Sequence, residues 1–327
     1  MASGDNWFVN WADFPSVSPI DKTRWAAHWL AKRPGGTYAY DVAVALSDDA
    51  GSSWSAPIVP HTDGTPTEHG FVSLFPWDDD VGVLWLDGRQ MTADHASGHG
   101  GEGGMTLRSA RLGARGQISD ARRVDDLVCD CCQTDVAIAG DGPVAVYRNR
   151  TPEEIRDIYL ARTVDGHWQP GTPVADDGWE INGCPVNGPA VVAQDNDVAV
   201  AWFTAANDQP RVRAAFSDDG GATFAAAVDI DSERPTGRVD IEMLDKTTAV
   251  VSWIAGGTQG HDQIALRVIG RDGAMGPKRQ VAPIATSRAS GFPQMIRLGE
   301  ELVFAWTDTT GETSQVRTAT VSIQAIR

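Results

Sequence analysis

The four cysteines of the chain fall in two short segments. Cys129, Cys131 and Cys132 stand in Val128-Cys129-Asp130-Cys131-Cys132-Gln133, and Cys184 stands in Gly183-Cys184-Pro185. Three chemistries suit sulfurs clustered in this way. An even count allows two disulfides pinning two loops, a vicinal Cys131–Cys132 bond among the options, although adjacent cysteines need a strained ring. Four thiolates could instead hold copper(I) or zinc, with His69 as a nearby nitrogen ligand. The Cys-x-Cys-Cys spacing departs from the paired Cys-x-x-Cys of well-attested zinc sites. A third option is one reactive thiol acting with His69 as nucleophile or redox group.

A second set of residues suits proton transfer and polar recognition. Asp13, Asp135 and Asp240 can share acid and base roles if they converge, because like charges at short range raise one pKa. His69 has a reference pKa near neutrality and serves as ligand or general base. Glu68, Arg150, Asn187 and Arg238 are candidates for ligand contact. Guanidinium forks match a carboxylate, an argument that extends to Arg148 and Arg288. Arg150 is equally suited to pair with Glu153 or Glu154. The plainer alternative for the whole set is a solvated channel in which polar side chains and water satisfy turn backbones. His28 reads as a packed, hydrogen-bonded histidine, and Met105 as a strand side chain.

These residues need a frame, and the chain announces one. Short alternating apolar segments end in Asp, Gly or Asn turns, the pattern of strands. One strand type recurs six times, each copy with an aromatic: Trp29, Trp85, Tyr147, Trp202, Trp253 and Trp306. The separations are 56, 62, 55, 51 and 53 residues, a radial repeat. Shorter apolar segments precede each copy at 12–16, 70–74, 134–139, 188–192, 239–244 and 291–296, and read as innermost strands. The expectation is one all-β domain spanning 1–327, a six-bladed β-propeller with four-stranded antiparallel blades. The repeated aromatics are then inter-blade core. The polar candidates lie at inner-strand entrances and converge on one rim of the channel. The two cysteine segments precede neighbouring inner strands, so Cys184 is expected beside the triplet.

Two octapeptides refine the reading. Ser47-Asp48-Asp49-Ala50-Gly51-Ser52-Ser53-Trp54 and Ser217-Asp218-Asp219-Gly220-Gly221-Ala222-Thr223-Phe224 share Ser-x-Asp-x-Gly-x-x-aromatic. A worn relative runs from Arg162 to Trp168. In such a turn the Asp accepts backbone N–H groups, Gly supplies an unusual dihedral, and the aromatic tucks the turn onto the blade. These are Asp-boxes, and the chain resembles the sialidase-like, BNR-repeat superfamily over essentially its whole length. The resemblance implies structural roles, away from the active mouth, for Ser47, Asp49, Gly51, Trp54, Ser217, Asp219, Gly221 and Phe224. It also implies a carboxylate-binding arginine early in the chain and a late nucleophilic tyrosine. Ala12-Asp13-Phe14-Pro15 has no arginine, and no tyrosine follows Tyr159.

Composition narrows the partners. The 327 residues carry 44 acidic against 27 basic side chains, a formal charge of −17. That disfavours nucleic acid and anionic membrane surfaces, and no run of 18 apolar residues is present to span a bilayer. The start, Met-Ala-Ser-Gly-Asp, lacks the features of a signal peptide. A periplasmic or secreted location is expected if a leader was removed, and a cytoplasmic one otherwise. The glycine-rich stretch 90–104, with His95, His99 and Glu102, reads as a surface loop or lid. The functional expectation is a non-classical enzyme acting on a polar, glycan-derived or anionic small molecule. The alternatives are a thiolate copper or zinc protein and a non-catalytic carbohydrate-binding propeller.

Overall fold

The computed structural model describes residues 3–91, 103–257 and 261–327. His95, His99 and Glu102 lie outside the described residues. Six antiparallel sheets follow one another along the chain as blades. Blade 1 contains β1 (Ser16–Pro19), β2 (Trp25–Lys32) and β3 (Tyr40–Ser47). Blade 2 contains β4 (His69–Trp77), β5 (Asp80–Asp87), β6 (Met105–Leu112) and β7 (Ile118–Val128). Blade 3 contains β8 (Asp135–Ala139), β9 (Gly142–Arg148) and β10 (Ile158–Val164). Its outer strand is broken into β11 (His167–Trp168) and β12 (Thr172–Pro173), both paired with β10. Blade 4 contains β13 (Ala190–Gln194), β14 (Asp197–Thr204), β15 (Arg211–Ser217) and β16 (Val228–Asp231). Blade 5 contains β17 (Pro235–Asp245), β18 (Thr248–Ala255), β19 (His261–Gly270) and β20 (Arg279–Ala285). Blade 6 contains β21 (Gln294–Leu298), β22 (Glu301–Asp308) and β23 (Gln315–Ser322).

The six-bladed propeller is therefore present, with one correction: blades 1 and 6 have three strands and not four. After β3 the chain returns to its blade where the Ser55 amide meets the Leu46 carbonyl and where Ile58 bridges Val44, a pairing too short for a strand. Pro57 and Pro60 flank that bridge and lack the N–H groups a fourth strand would need. After β23 the chain enters a short 3-10 turn, Ile323–Ala325.

The recurrent aromatics sit on the second strand of every blade, and Trp85, Tyr147, Trp202 and Trp253 are almost wholly buried. Their polar tips find partners, as buried Tyr and Trp require. Tyr147 Oη donates to Asp125 on β7 at 2.5 Å, Trp202 Nε1 to Asp177 at 2.7 Å and Trp253 Nε1 to Asp231 on β16 at 2.7 Å. Each of these acids belongs to the preceding blade, so the aromatic both fills the interface and ties it.

Both Asp-boxes form as turns. Asp219 accepts from Ser217 Oγ, Thr223 N and Thr223 Oγ1 at 2.7, 2.9 and 2.6 Å. Asp49 does the same with Ser47 and Ser53. Gly51 and Gly221 have φ of 83° and 81°, the left-handed region that favours glycine. Ser47 ends the strand that Tyr40 begins, about 23 Å away at 3.3 Å per residue. The boxes and Tyr40 thus lie at opposite ends of blade 1.

Candidate functional site

The inner strands of blades 1, 4 and 6 begin two to four residues later than the sequence pattern suggested, at Ser16, Ala190 and Gln294. The residues before them leave the ladder and turn polar side chains toward the next blade. Asp13 Oδ1 accepts the Phe71 amide at 2.8 Å, and Asn187 Oδ1 accepts the Arg238 amide at 2.7 Å. Asp135 Oδ2 accepts the Val191 amide at 2.8 Å, and Asp240 Oδ2 accepts the Met295 amide at 2.7 Å. Phe71 and Arg238 have φ of 52° and 55°. They interrupt β4 and β17 as bulges, where an ordinary ladder leaves the amide unpaired. The preceding blade supplies the missing acceptor.

Asp135 and Asp240 are consumed by this role. The second oxygen of each accepts its neighbour's amide, from Val136 at 2.9 Å and Ile241 at 2.8 Å. They line the central channel, a cavity of about 240 Å³. Burial raises their pKa values to about 6 and about 8, against the pull of the amides.

Asp13 is different, because its second oxygen faces another side chain. Tyr40 Oη lies 3.3 Å from Asp13 Oδ2 and 3.3 Å from Glu68 Oε1. One hydroxyl proton cannot serve two carboxylates, so a second proton in the group is favoured. Burial raises Asp13 to about 7, the Phe71 amide and Tyr40 opposing. Burial, then the charges of Asp13 and Asp130, raises Glu68 to about 8. Tyr40 is pushed well above its ordinary value by burial and by the charges of Asp13 and Glu68. Gly70 makes this arrangement possible, since a side chain there would run into the Asp13 carboxylate and the Tyr40 ring.

These groups face a cavity of about 480 Å³ at the mouth. Phe8, Trp11 and Tyr38 wall it, with Asp130, Arg288 and the Cys131–Cys184 pair on the far side. Phe8 stacks on Tyr40 at 4.3 Å, and Trp11 stacks on Phe292 at 6.1 Å. Aromatic faces beside acids and a guanidinium suit a polar ring with apolar C–H faces.

His69 is fully buried, its ring nitrogens taken up by carbonyls and a carboxylate. Its Nδ1 is 3.1 Å from the Tyr40 and Thr67 carbonyls, and its Nε2 is 3.2 Å from Asp63. His61 stacks on it at 3.9 Å and 6°, and bonds Asp63 at 3.0 Å. Asp41, Asp63 and Asp87 bring carboxylate oxygens near enough to suggest a metal centre. The parallel rings argue against His61 and His69 sharing one ion, because in-plane lone pairs of stacked imidazoles do not converge. In the Asp63–His69–Asp87 group both acids already hold the Arg89 guanidinium. Arg89 closes the network on Asp87 and Asp63 at 2.6 and 3.1 Å. His69 thereby fixes the Tyr40 backbone and the adjacent Glu68.

The remaining candidates are placed as follows. Arg150 pairs with Glu154 at 2.6 Å and Asp130 at 3.3 Å, and Arg148 is buried on three backbone carbonyls. Arg238 lies over Trp11 and Phe292, its Nη1 donating to the Gly291 carbonyl at 2.6 Å. His28 is buried with Nδ1 2.8 Å from Ser16 Oγ. Cys184 does approach the triplet, as a disulfide to Cys131 across a Cα separation of 6.1 Å. That bond withdraws Cys131 and Cys184 from the four-thiolate copper or zinc set, leaving Cys129 and Cys132 as free thiols. Two thiols alone fall short of the four ligands that a structural zinc site employs.

The sequence reading missed Tyr40, Asp130, His61, Asp63 and Asp87. Tyr40 opens a third strand, outside the inner-strand positions where polar residues converge in the sequence pattern. The signal was Glu68-His69-Gly70, where a glycine beside two functional types marks a close approach.

No protein-family model matches the sequence, and no curated protein matches it. Solved structures do resemble the fold. The Penicillium chrysogenum alpha-L-arabinanase complexed with arabinobiose superposes with a TM-score of 0.57 at 12% identity, over 96% of this chain and 94% of that one. The GH93 alpha-L-arabinofuranosidase of Fusarium graminearum gives 0.55 at 11%, over 96% and 94%. NanB sialidase from Streptococcus pneumoniae gives 0.55 at 10%, over 96% and 68%. The chain is thus a six-bladed propeller with the fold of several carbohydrate-cleaving enzymes. At these identities the likeness is one of fold.

Proposed function

We propose that the mouth cavity is the active site of an enzyme that cleaves a glycosidic bond in a polar, glycan-derived substrate. The observation that carries this reading is the Tyr40 hydroxyl held between the Asp13 and Glu68 carboxyls in an aromatic-walled cavity. Glu68, raised to about 8, keeps its proton at neutral pH and donates it to the departing glycosidic oxygen. Asp13, 3% exposed, lines the same cavity and, once ionised, takes the proton of the attacking water. Tyr40, 1% exposed and pushed well above its ordinary pKa, keeps its proton and holds the two carboxyls in register. The fold's occurrence in arabinanases and sialidases supports a saccharide as the ligand class.

The test is a panel of arabino-oligosaccharides, sialosides and uronate oligosaccharides assayed with the protein and two variants. Tyr40→Phe and Glu68→Gln should each reduce turnover by about 10²-fold or more. The rate should rise as Asp13 ionises through about 7 and fall as Glu68 loses its proton through about 8. Unchanged turnover in both variants would place the chemistry elsewhere.

A further inference from the structure

The mouth also holds sulfur chemistry that glycosidic cleavage leaves unused. The joined Cys131 and Cys184 line the cavity, and Cys129 and Cys132 lie buried beneath them. Cys129 Sγ is 2.7 Å from Cys132 Sγ and 3.9 Å from Cys131 Sγ. The first separation is well inside van der Waals contact for sulfur, so the buried pair is poised to bond. The second brings the same sulfur within reach of the cavity disulfide. Arg156 Nη1 lies 3.5 Å from Cys129 Sγ, a cation placed on one thiol of the pair. Burial opposes ionisation of Cys129, but the Cys132 contact and Arg156 outweigh it and bring the thiol to about 7.

We propose that the four cysteines form one redox unit. In it the buried Cys129/Cys132 dithiol exchanges with the Cys131–Cys184 disulfide and presents a reactive dithiol to the cavity, which reduces low-molecular-weight disulfides there. The Cys129 thiolate attacks Cys131 Sγ, forming a Cys129–Cys131 bond and expelling Cys184 as a thiolate, which takes up a proton. Cys132, losing its proton, then attacks Cys129 and expels Cys131. The net result is a buried Cys129–Cys132 disulfide and a Cys131/Cys184 dithiol, with no electrons gained or lost. A small disulfide entering the cavity is attacked by that dithiol. It leaves as two thiols while Cys131–Cys184 re-forms, so the two electrons come from the buried pair.

Trypsin separates the actors: 124–148 carries Cys129, Cys131 and Cys132, whereas 163–211 carries Cys184. Protein brought to two thiols per chain is held at pH 8, acid-quenched, alkylated and mapped by mass spectrometry, with and without glutathione disulfide. The expected result without the probe is a fraction of alkylated Cys184 on a free 163–211 segment, paired with an internal disulfide in 124–148. With the probe, about two thiols per chain should be released and both bridges should close. Cys129→Ser should abolish both signals, and Cys132→Ala should stop at Cys129–Cys131 with Cys184 alkylated. Far-ultraviolet circular dichroism checks that each variant is folded. Cys184 found permanently cross-linked with Cys129 and Cys132 alkylated, or glutathione release undiminished in folded Cys129→Ser, would overturn the proposal.

Discussion

At the scale of single residues, the site depends on carboxyls kept neutral by burial. In the unfolded chain Glu68 ionises near 4.5, and in the folded protein near 8. Below 4.5 both states hold the proton and the group contributes nothing. Between the two values only the unfolded chain releases it, so rising pH disfavours the fold, and above 8 the cost is complete. Glu68→Gln removes this penalty while keeping a neutral side chain of the same shape. Thermal denaturation should therefore show the variant gaining stability over wild type progressively from pH 4.5 to 8, with no gain at pH 4. An equal gain at every pH would mean that Glu68 is ordinary in the fold. The sequence offered Asp13, Asp135 and Asp240 as equivalent acids. Only the partners distinguish them: two amides for each of the latter pair, an amide and Tyr40 for Asp13. The inter-blade amides lie 55 to 58 residues away and Tyr40 lies 27 away, beyond the reach of local pattern.

At the scale of elements, the most legible features were those written locally. The Asp-box turns bind within five residues, so their Ser, Asp and Gly positions specify the geometry by themselves. Gly221 is the clearest case. Its φ is 81°, and an added Cβ would meet Leu160 Cδ2 at 2.9 Å. Gly221→Ala should lower stability by about 1–3 kcal/mol in denaturant melts. The mouth cavity lies at the other end of the blade, and its ligand affinity should be unaffected. A loss of affinity without loss of stability would argue against a purely structural turn. The missing fourth strands of blades 1 and 6 were not legible, because a sequence repeat cannot say whether an outer segment finds a partner. Proline at Pro57 and Pro60 was the local hint.

At the scale of the whole molecule, the ring is tied by side chains reaching from blade to blade. Tyr147, Trp202 and Trp253 donate to acids of the preceding blade, and polar entrance residues accept amides of the next. Among the described residues the junction of blade 6 with blade 1 rests on different contacts, chiefly Trp11 on Phe292 with Arg238 over both. Val17, Ile296, Leu298 and Val316 remain 51%, 57%, 66% and 76% exposed. This junction is therefore the least apolar seam of the ring. Trp11 and Arg288 wall the mouth cavity from this junction, while Asp13, Tyr40 and Glu68 join across the neighbouring seam of blades 1 and 2. The sequence repeat located all six blades but carried no mark of which junction would stay open.

The proposed site turns on a carboxylic acid, neutral near physiological pH, beside the Tyr40 hydroxyl. Carbon-13 NMR of glutamate-labelled protein follows the Glu68 side-chain carbonyl through a pH titration, with Glu68→Gln supplying the assignment. The account predicts a midpoint near 8, moved by Tyr40→Phe. A midpoint at the ordinary carboxylate value near 4.5, indifferent to Tyr40→Phe, would contradict it.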